Sequence, residues 1–226
     1  MRIGDGTMKK LLLSVFAVAL LPLLMAGVVL AEPTDPNEIG LYVTQDGTGP
    51  TGTTVIGTPV EVYLVLTRPT DVEGNGQPFI SFAGFECLFT FNPVPSLLIL
   101  LSTELPPQSL DIGRYKDIQE GILEFIVGIS NQTALPVVNE SVAMAKLTFL
   151  NLDTTVTEVS LGPIQDIASI PGQMAFLGGH TPNGPGYELT PMYSMGGSHE
   201  APVFIFNGEA VAVENESFGS VKALFR

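Results

Sequence analysis

Hydrophobic and polar residues alternate with a period of two through much of the chain. Val60, Val62, Leu64 and Leu66 are spaced by Glu61, Tyr63, Val65 and Thr67, and Phe85, Cys87, Phe89 and Phe91 by Glu86, Leu88 and Thr90. Leu123, Phe125, Val127 and Ile129 are spaced by Glu124, Ile126 and Gly128, and Ala145, Leu147 and Phe149 by Lys146 and Thr148. Successive side chains of a strand point to opposite faces, so each run predicts a strand with one face in a core. Shorter strand-like runs occupy 39–44, 97–102, 158–161, 203–206 and 209–213. Gly, Pro, Asn and Asp cluster between the runs, as turns require. Asn207-Gly208, between the last two runs, reads as a hairpin or the start of a strand. No helical pattern of ordinary length interrupts the series, and no internal repeat suggests a propeller or solenoid. The expectation is all-β: one jelly-roll-like β-sandwich of about nine strands over 39–213. The Gly- and Pro-rich stretch 177–202 is expected to be its longest loop.

The N-terminus departs from this pattern. Met8-Lys9-Lys10 gives a basic start, 11–30 holds no charged residue, and Val29-Leu30-Ala31 places small side chains where a signal peptidase needs them. A secretory signal peptide over 1–31 is therefore expected, with Met8 as the natural start. An apolar run of this length is also long enough for an uncleaved anchor, although Pro22, Gly27 and the Val-Leu-Ala end favour cleavage. No Cys stands at the cleavage point, which argues against a lipoprotein. An acidic, Pro-rich spacer over 32–38 leads into the sandwich, and a tail follows over 214–226. Phe218, Val221, Leu224 and Phe225 of the tail fall at helical spacing, fitting either a short docked helix or an attachment signal. The protein is thus expected outside the cell or in its envelope, with no stable membrane insertion after cleavage.

Composition sharpens this picture. Of 226 residues, 45% are hydrophobic and 14% charged, which excludes a disordered chain. Nine Lys and Arg against 23 Asp and Glu exclude nucleic acid and anionic lipid as natural partners, since both need a basic surface. One Cys excludes a disulfide scaffold, and Cys87, on an alternating strand, is expected to be buried.

A set of ordered landmarks adds a resemblance. Gly57-Thr58-Pro59-Val60-Glu61-Val62 is followed by Ala83-Gly84-Phe85-Glu86-Cys87-Leu88-Phe89-Thr90-Phe91-Asn92-Pro93. Then come Gly121-Ile122-Leu123-Glu124-Phe125, Ala145-Lys146-Leu147-Thr148-Phe149 and Asn207-Gly208-Glu209-Ala210-Val211-Ala212-Val213. This series resembles cohesin-type modules, which share a jelly-roll sandwich with several bacterial carbohydrate-binding modules. Phe91-Asn92-Pro93 matches the family's aromatic-Asp-Pro corner, with Asn92 in place of Asp. The resemblance implies a non-catalytic recognition module that binds a protein partner. It also implies a partner surface at the outward positions of three strands: Glu86, Leu88, Thr90, Glu124, Ile126, Lys146 and Thr148.

Other chemistry is sparse. Asp71-Val72-Glu73-Gly74-Asn75-Gly76 has oxygen ligands at EF-hand spacing, but position twelve is Phe82, so a plain acidic turn is expected. His180, His199 and Glu200 sit in the stretch expected to be loop, with nothing in their spacing to make them converge on zinc. There is no Gly-x-Ser-x-Gly elbow, phosphate-binding loop, HExxH or CxxC, so neither an enzyme nor a cofactor is expected. Sugar-binding sandwiches stack rings on exposed aromatics, and Trp is absent. Tyr187 and Tyr193 are the candidate contacts if the partner is an extracellular polysaccharide. Asn131, Asn139 and Asn215 head glycosylation sequons read here as chance matches.

Overall fold

The computed structural model describes residues 36–48, 52, 54–71, 76–130, 133–165, 167–182, 186–195 and 197–208. The expected signal peptide, most of the spacer, the run at 209–213 and the tail lie outside the described residues. Among the described residues, twelve strands follow in order: β1 Glu38–Tyr42, β2 Pro59–Thr67, β3 Ser81–Asn92, β4 Leu98–Glu104, β5 Ser109–Asp111 and β6 Ile122–Ile129. Then come β7 Leu135–Pro136, β8 Ser141–Asn151, β9 Thr157–Gly162, β10 Met174–Gly179, β11 Glu188–Ser194 and β12 Pro202–Phe206. One 3-10 turn, Ile118–Glu120, precedes β6, and the Asp117 side chain caps it by accepting from the Gln119 N–H. Among the described residues, no helix is long and apolar enough to cross a membrane.

The strands form a sandwich. The back layer is antiparallel in the order β1-β2-β8-β4. The front layer is built on β3, whose 12 residues allow it to serve several neighbours. Along one edge of β3 lie β6 and the short β7, with β5 beyond β6. Along the other edge β10 pairs with its first half and β9 with its second, and β11 and β12 extend these outward. A short parallel pairing of β1 with β11 joins the two layers.

The period-two runs supply the core as expected. Phe85, Cys87, Phe89 and Phe91 of β3 and Leu123, Phe125 and Val127 of β6 are all buried, as are Val62, Leu64 and Leu66 of β2 and Leu147 and Phe149 of β8. Burying each such side chain contributes roughly 1.5–3 kcal/mol. Phe149 joins the layers, its ring 6.4 Å from Phe91 and 5.3 Å from Phe206. Cys87 is fully buried, and that burial pushes its thiol pKa up, so it stays a protonated packing group.

The stretch 177–202 requires a correction. It is not one long loop but holds the end of β10, all of β11 and the start of β12. Two glycines concealed β10, because Gly in a strand reads as a break. Here the missing side chains leave room for aromatic rings. A Cβ at Gly178 would run into the Phe79 ring, and one at Gly179 would meet Tyr187 at 2.8 Å.

Asp153 clamps the turn before β4 to the turn after β8. Its carboxylate accepts from the Thr155 N–H at 2.9 Å, the Ser96 N–H at 3.0 Å and the Ser96 hydroxyl at 2.7 Å. These bonds, that from Thr155 foremost, hold its pKa well below 3.8. A carboxyl depressed on folding stabilises fully above its unfolded value and loses that contribution as pH falls toward the folded one. Stability should therefore drop between pH 4 and pH 2 more in the native protein than in Asp153→Asn. Urea midpoints across that window check this; equal losses would assign no role to the clamp.

Candidate functional site

The outer face of the front sheet carries a groove whose shape follows from strand register. Leu110 of β5 stands opposite Gly128 of β6, Gly128 opposite Gly84 of β3, Gly84 opposite Leu177 of β10, and Leu177 opposite Leu189 of β11. One row across five strands thus reads Leu-Gly-Gly-Leu-Leu. Strands lie about 4.8 Å apart, so the walls at Leu110 and Leu177 stand roughly 14 Å from each other over a floor of bare backbone. The next row runs through Ile126, Glu86, Ala175 and Pro191, with Ile112 donating its N–H to the Ile126 carbonyl. The hollow encloses about 280 Å³.

Each glycine has its own reason. A Cβ at Gly84 would lie 2.6 Å from the Val127 carbonyl oxygen, so packing demands glycine there. At Gly128 a Cβ would meet nothing within 4 Å, so only the open groove is served by its absence. The walls are strongly exposed for apolar residues: Leu110 68%, Ile112 60% and Leu189 45%. Apolar side chains left in water around a concave floor mark a contact surface.

Glu86 fixes one margin. It is buried, and its carboxylate accepts from the Ser169 N–H at 2.7 Å and the Ser169 hydroxyl at 2.8 Å. This ties the segment between β9 and β10 across the sheet. Ser169 is solvent-exposed, so water replaces part of what Glu86→Ala removes, and the expected loss is about 1 kcal/mol. Hydrogen exchange should rise at 167–173 in that variant while β3 and β6 stay protected. Uniform change across the sheet would contradict the tie.

The sequence-predicted partner surface divides. Glu86 and Ile126 line the groove. Leu88 and Glu124 point outward on the same sheet but are buried, and Thr90 is exposed farther along β3. The Arg114 N–H donates to Glu124 at 2.9 Å, so the 112–117 segment screens that end of β6. Lys116 reinforces the screen, binding Asp111 and the Glu124 carbonyl with its Nζ 4.0 Å from the Phe125 ring centroid. Lys146 and Thr148 belong to β8, in the opposite layer, so the seven residues do not make one surface. Lys146 is engaged there between Glu61 at 3.1 Å and Glu104 at 3.0 Å, and these hydrogen bonds, that to Glu104 first, raise its pKa.

The glycan pair also needs correction. Tyr187 packs its ring against Gly179 and buries its hydroxyl, while Tyr193 is exposed on β11. Six residues of extended chain separate them by roughly 20 Å, so they form no shared platform. Sequence reasoning missed Leu110, Ile112, Leu177 and Leu189 because none belongs to a long alternating run. The usable signal was Gly84 and Gly128 inside strands, where glycine often marks close approach of a ligand or another backbone.

No protein-family model matches the chain, and no curated protein matches it. Several solved structures are similar to it in fold. A type II cohesin domain from the cellulosome of Acetivibrio cellulolyticus is 14% identical with a TM-score of 0.48, over 79% of this chain and 98% of that one. The second type II cohesin module of the same organism's adaptor scaffoldin ScaA is 13% identical with a TM-score of 0.48, over 78% and 99%. The sixth cohesin of its scaffoldin B, crystallised with a mutant Cel5 dockerin, is 11% identical with a TM-score of 0.43, over 77% and 100%. The chain resembles cohesins in fold. At this identity the likeness stops there.

Proposed function

We propose that the protein is an exported, non-catalytic module that binds a protein partner through the groove of its front sheet. The observation that carries this reading is the Leu-Gly-Gly-Leu row, an apolar trough open to solvent across the middle of a sheet. Its width and exposed walls suit an apolar ridge from another protein, such as one side of a helix laid across the strands. The chain's net charge of −14 favours a partner of neutral or basic surface and speeds its approach at low salt. Affinity would come from a few desolvated leucine and isoleucine contacts at the centre.

The test pairs the two layers. Leu110→Lys alters the front groove at a solvent-exposed position, and Thr148→Lys alters the back layer. Both variants and the native protein are used as bait against secreted and envelope fractions of the source organism. The expected result is a discrete protein retained by the native chain and by Thr148→Lys but lost with Leu110→Lys. Equal retention by all three, or loss only with Thr148→Lys, would overturn the assignment.

A further inference from the structure

We propose that Asp71, His180 and Glu188 form a binding site for a divalent transition-metal ion, with zinc the best match. The three residues come from separate parts of the chain: Asp71 from the loop after β2, His180 directly after β10, and Glu188 from the first position of β11. One ligand atom from each lies within 4.8 Å of the others. Ligands held about 2.0–2.2 Å from a tetrahedral zinc ion stand roughly 3.4 Å apart, so a small rotation of the exposed Glu188 completes the set. Sequence spacing could not show this convergence, because strand pairing creates it; His199 and Glu200, weighed with His180 from the sequence, are not part of the group.

The hydrogen-bonding pattern at His180 points the same way. Its Nδ1 lies 3.3 Å from the Pro78 carbonyl oxygen, which can only accept, so Nδ1 carries the proton. In a neutral imidazole Nε2 then presents a lone pair, and what it faces at 3.1 Å is Asp71 Oδ2, another acceptor. A cation held by both atoms removes this conflict. A backbone carbonyl behind the far ring nitrogen is also how metal-binding histidines are commonly oriented. Asp71 is held in place. Asp71 is 5% exposed, and its Oδ1 is occupied by the N–H groups of Gly76 and Gln77 at 3.1 and 3.0 Å, leaving Oδ2 for the ion. The imidazole rests on Phe79, ring centroids 4.8 Å apart.

The donor set decides the metal. An imidazole nitrogen with two carboxylates suits zinc or its neighbours, whereas calcium takes six to eight oxygens. Three protein ligands leave a position for water. A bound ion would fasten the β10–β11 hairpin, which carries Leu177 and Leu189, to the loop after β2. The site stands whether or not the groove binds a protein.

Untagged protein, stripped with a chelator, is titrated with Zn²⁺ against a chromogenic zinc indicator and melted with and without the ion. One equivalent should bind, the melting temperature should rise, and His180→Ala and Glu188→Gln should each weaken binding by at least about tenfold. Both residues are exposed, so these variants fold even if Asp71→Asn does not. Co²⁺ should give the visible absorption of a low-coordinate nitrogen-oxygen site, lost in His180→Ala. Absence of uptake would overturn the proposal. Uptake unchanged in His180→Ala, or calcium competing on equal terms, would overturn it as well.

Discussion

Gly128→Phe should weaken partner binding by roughly 100-fold or more while leaving stability within about 0.5 kcal/mol. Gly128 is exposed, lies in ordinary extended backbone, and a Cβ there meets nothing within 4 Å. A phenyl ring therefore enters the groove instead of the core, occupying the space between Leu110 and Leu177. Aromatic side chains favour strands, so the fold has no reason to resist. An unchanged melting temperature with lost binding separates a filled groove from a damaged sheet, which a substitution at Gly84 would not do. Gly128→Ala, adding one methyl, should fall between the two.

The second large effect concerns β10. Gly178→Val should destabilise the protein by about 3 kcal/mol, at the upper end of what overpacking costs. The atoms in the way belong to Phe79, which is 1% exposed and meets Phe176 edge to face at a centroid distance of 5.7 Å. A ring so enclosed cannot swing clear without displacing its neighbours. Denaturant unfolding measures the loss directly, and the companion variant Gly128→Val should show almost none. A mild effect at Gly178 would mean that β10 packs against β3 differently from the register described.

These two glycines show what the sequence revealed and where it stopped. Long runs such as 85–91 and 123–129 disclosed their strands and their buried faces, because a period of two survives without knowledge of any neighbour. Cys87, Phe89 and Phe125 are buried as their alternation implies. Whether two strands share a layer is a pairing property, and for that reason Lys146 and Thr148 were grouped with Glu86 and Ile126 across opposite sheets. β10 and β11 were hidden because Gly178, Gly179 and Pro191 mimic loop chemistry while serving a packed sheet. The groove was hidden more deeply. Its row of residues exists only after five strands are set in register, and no segment of the chain contains more than one or two of its members. The same holds for Asp71, His180 and Glu188, which the sequence spreads over more than a hundred positions.

The central claim, that recognition occurs on the front face through the groove, is tested most directly by hydrogen exchange on the protein with its captured partner bound. Protection should concentrate in 109–112, 126–128, 175–177 and 188–191, with β2, β4 and β8 unchanged. Protection centred on the back layer around Lys146, with the groove strands unaffected, would contradict the account.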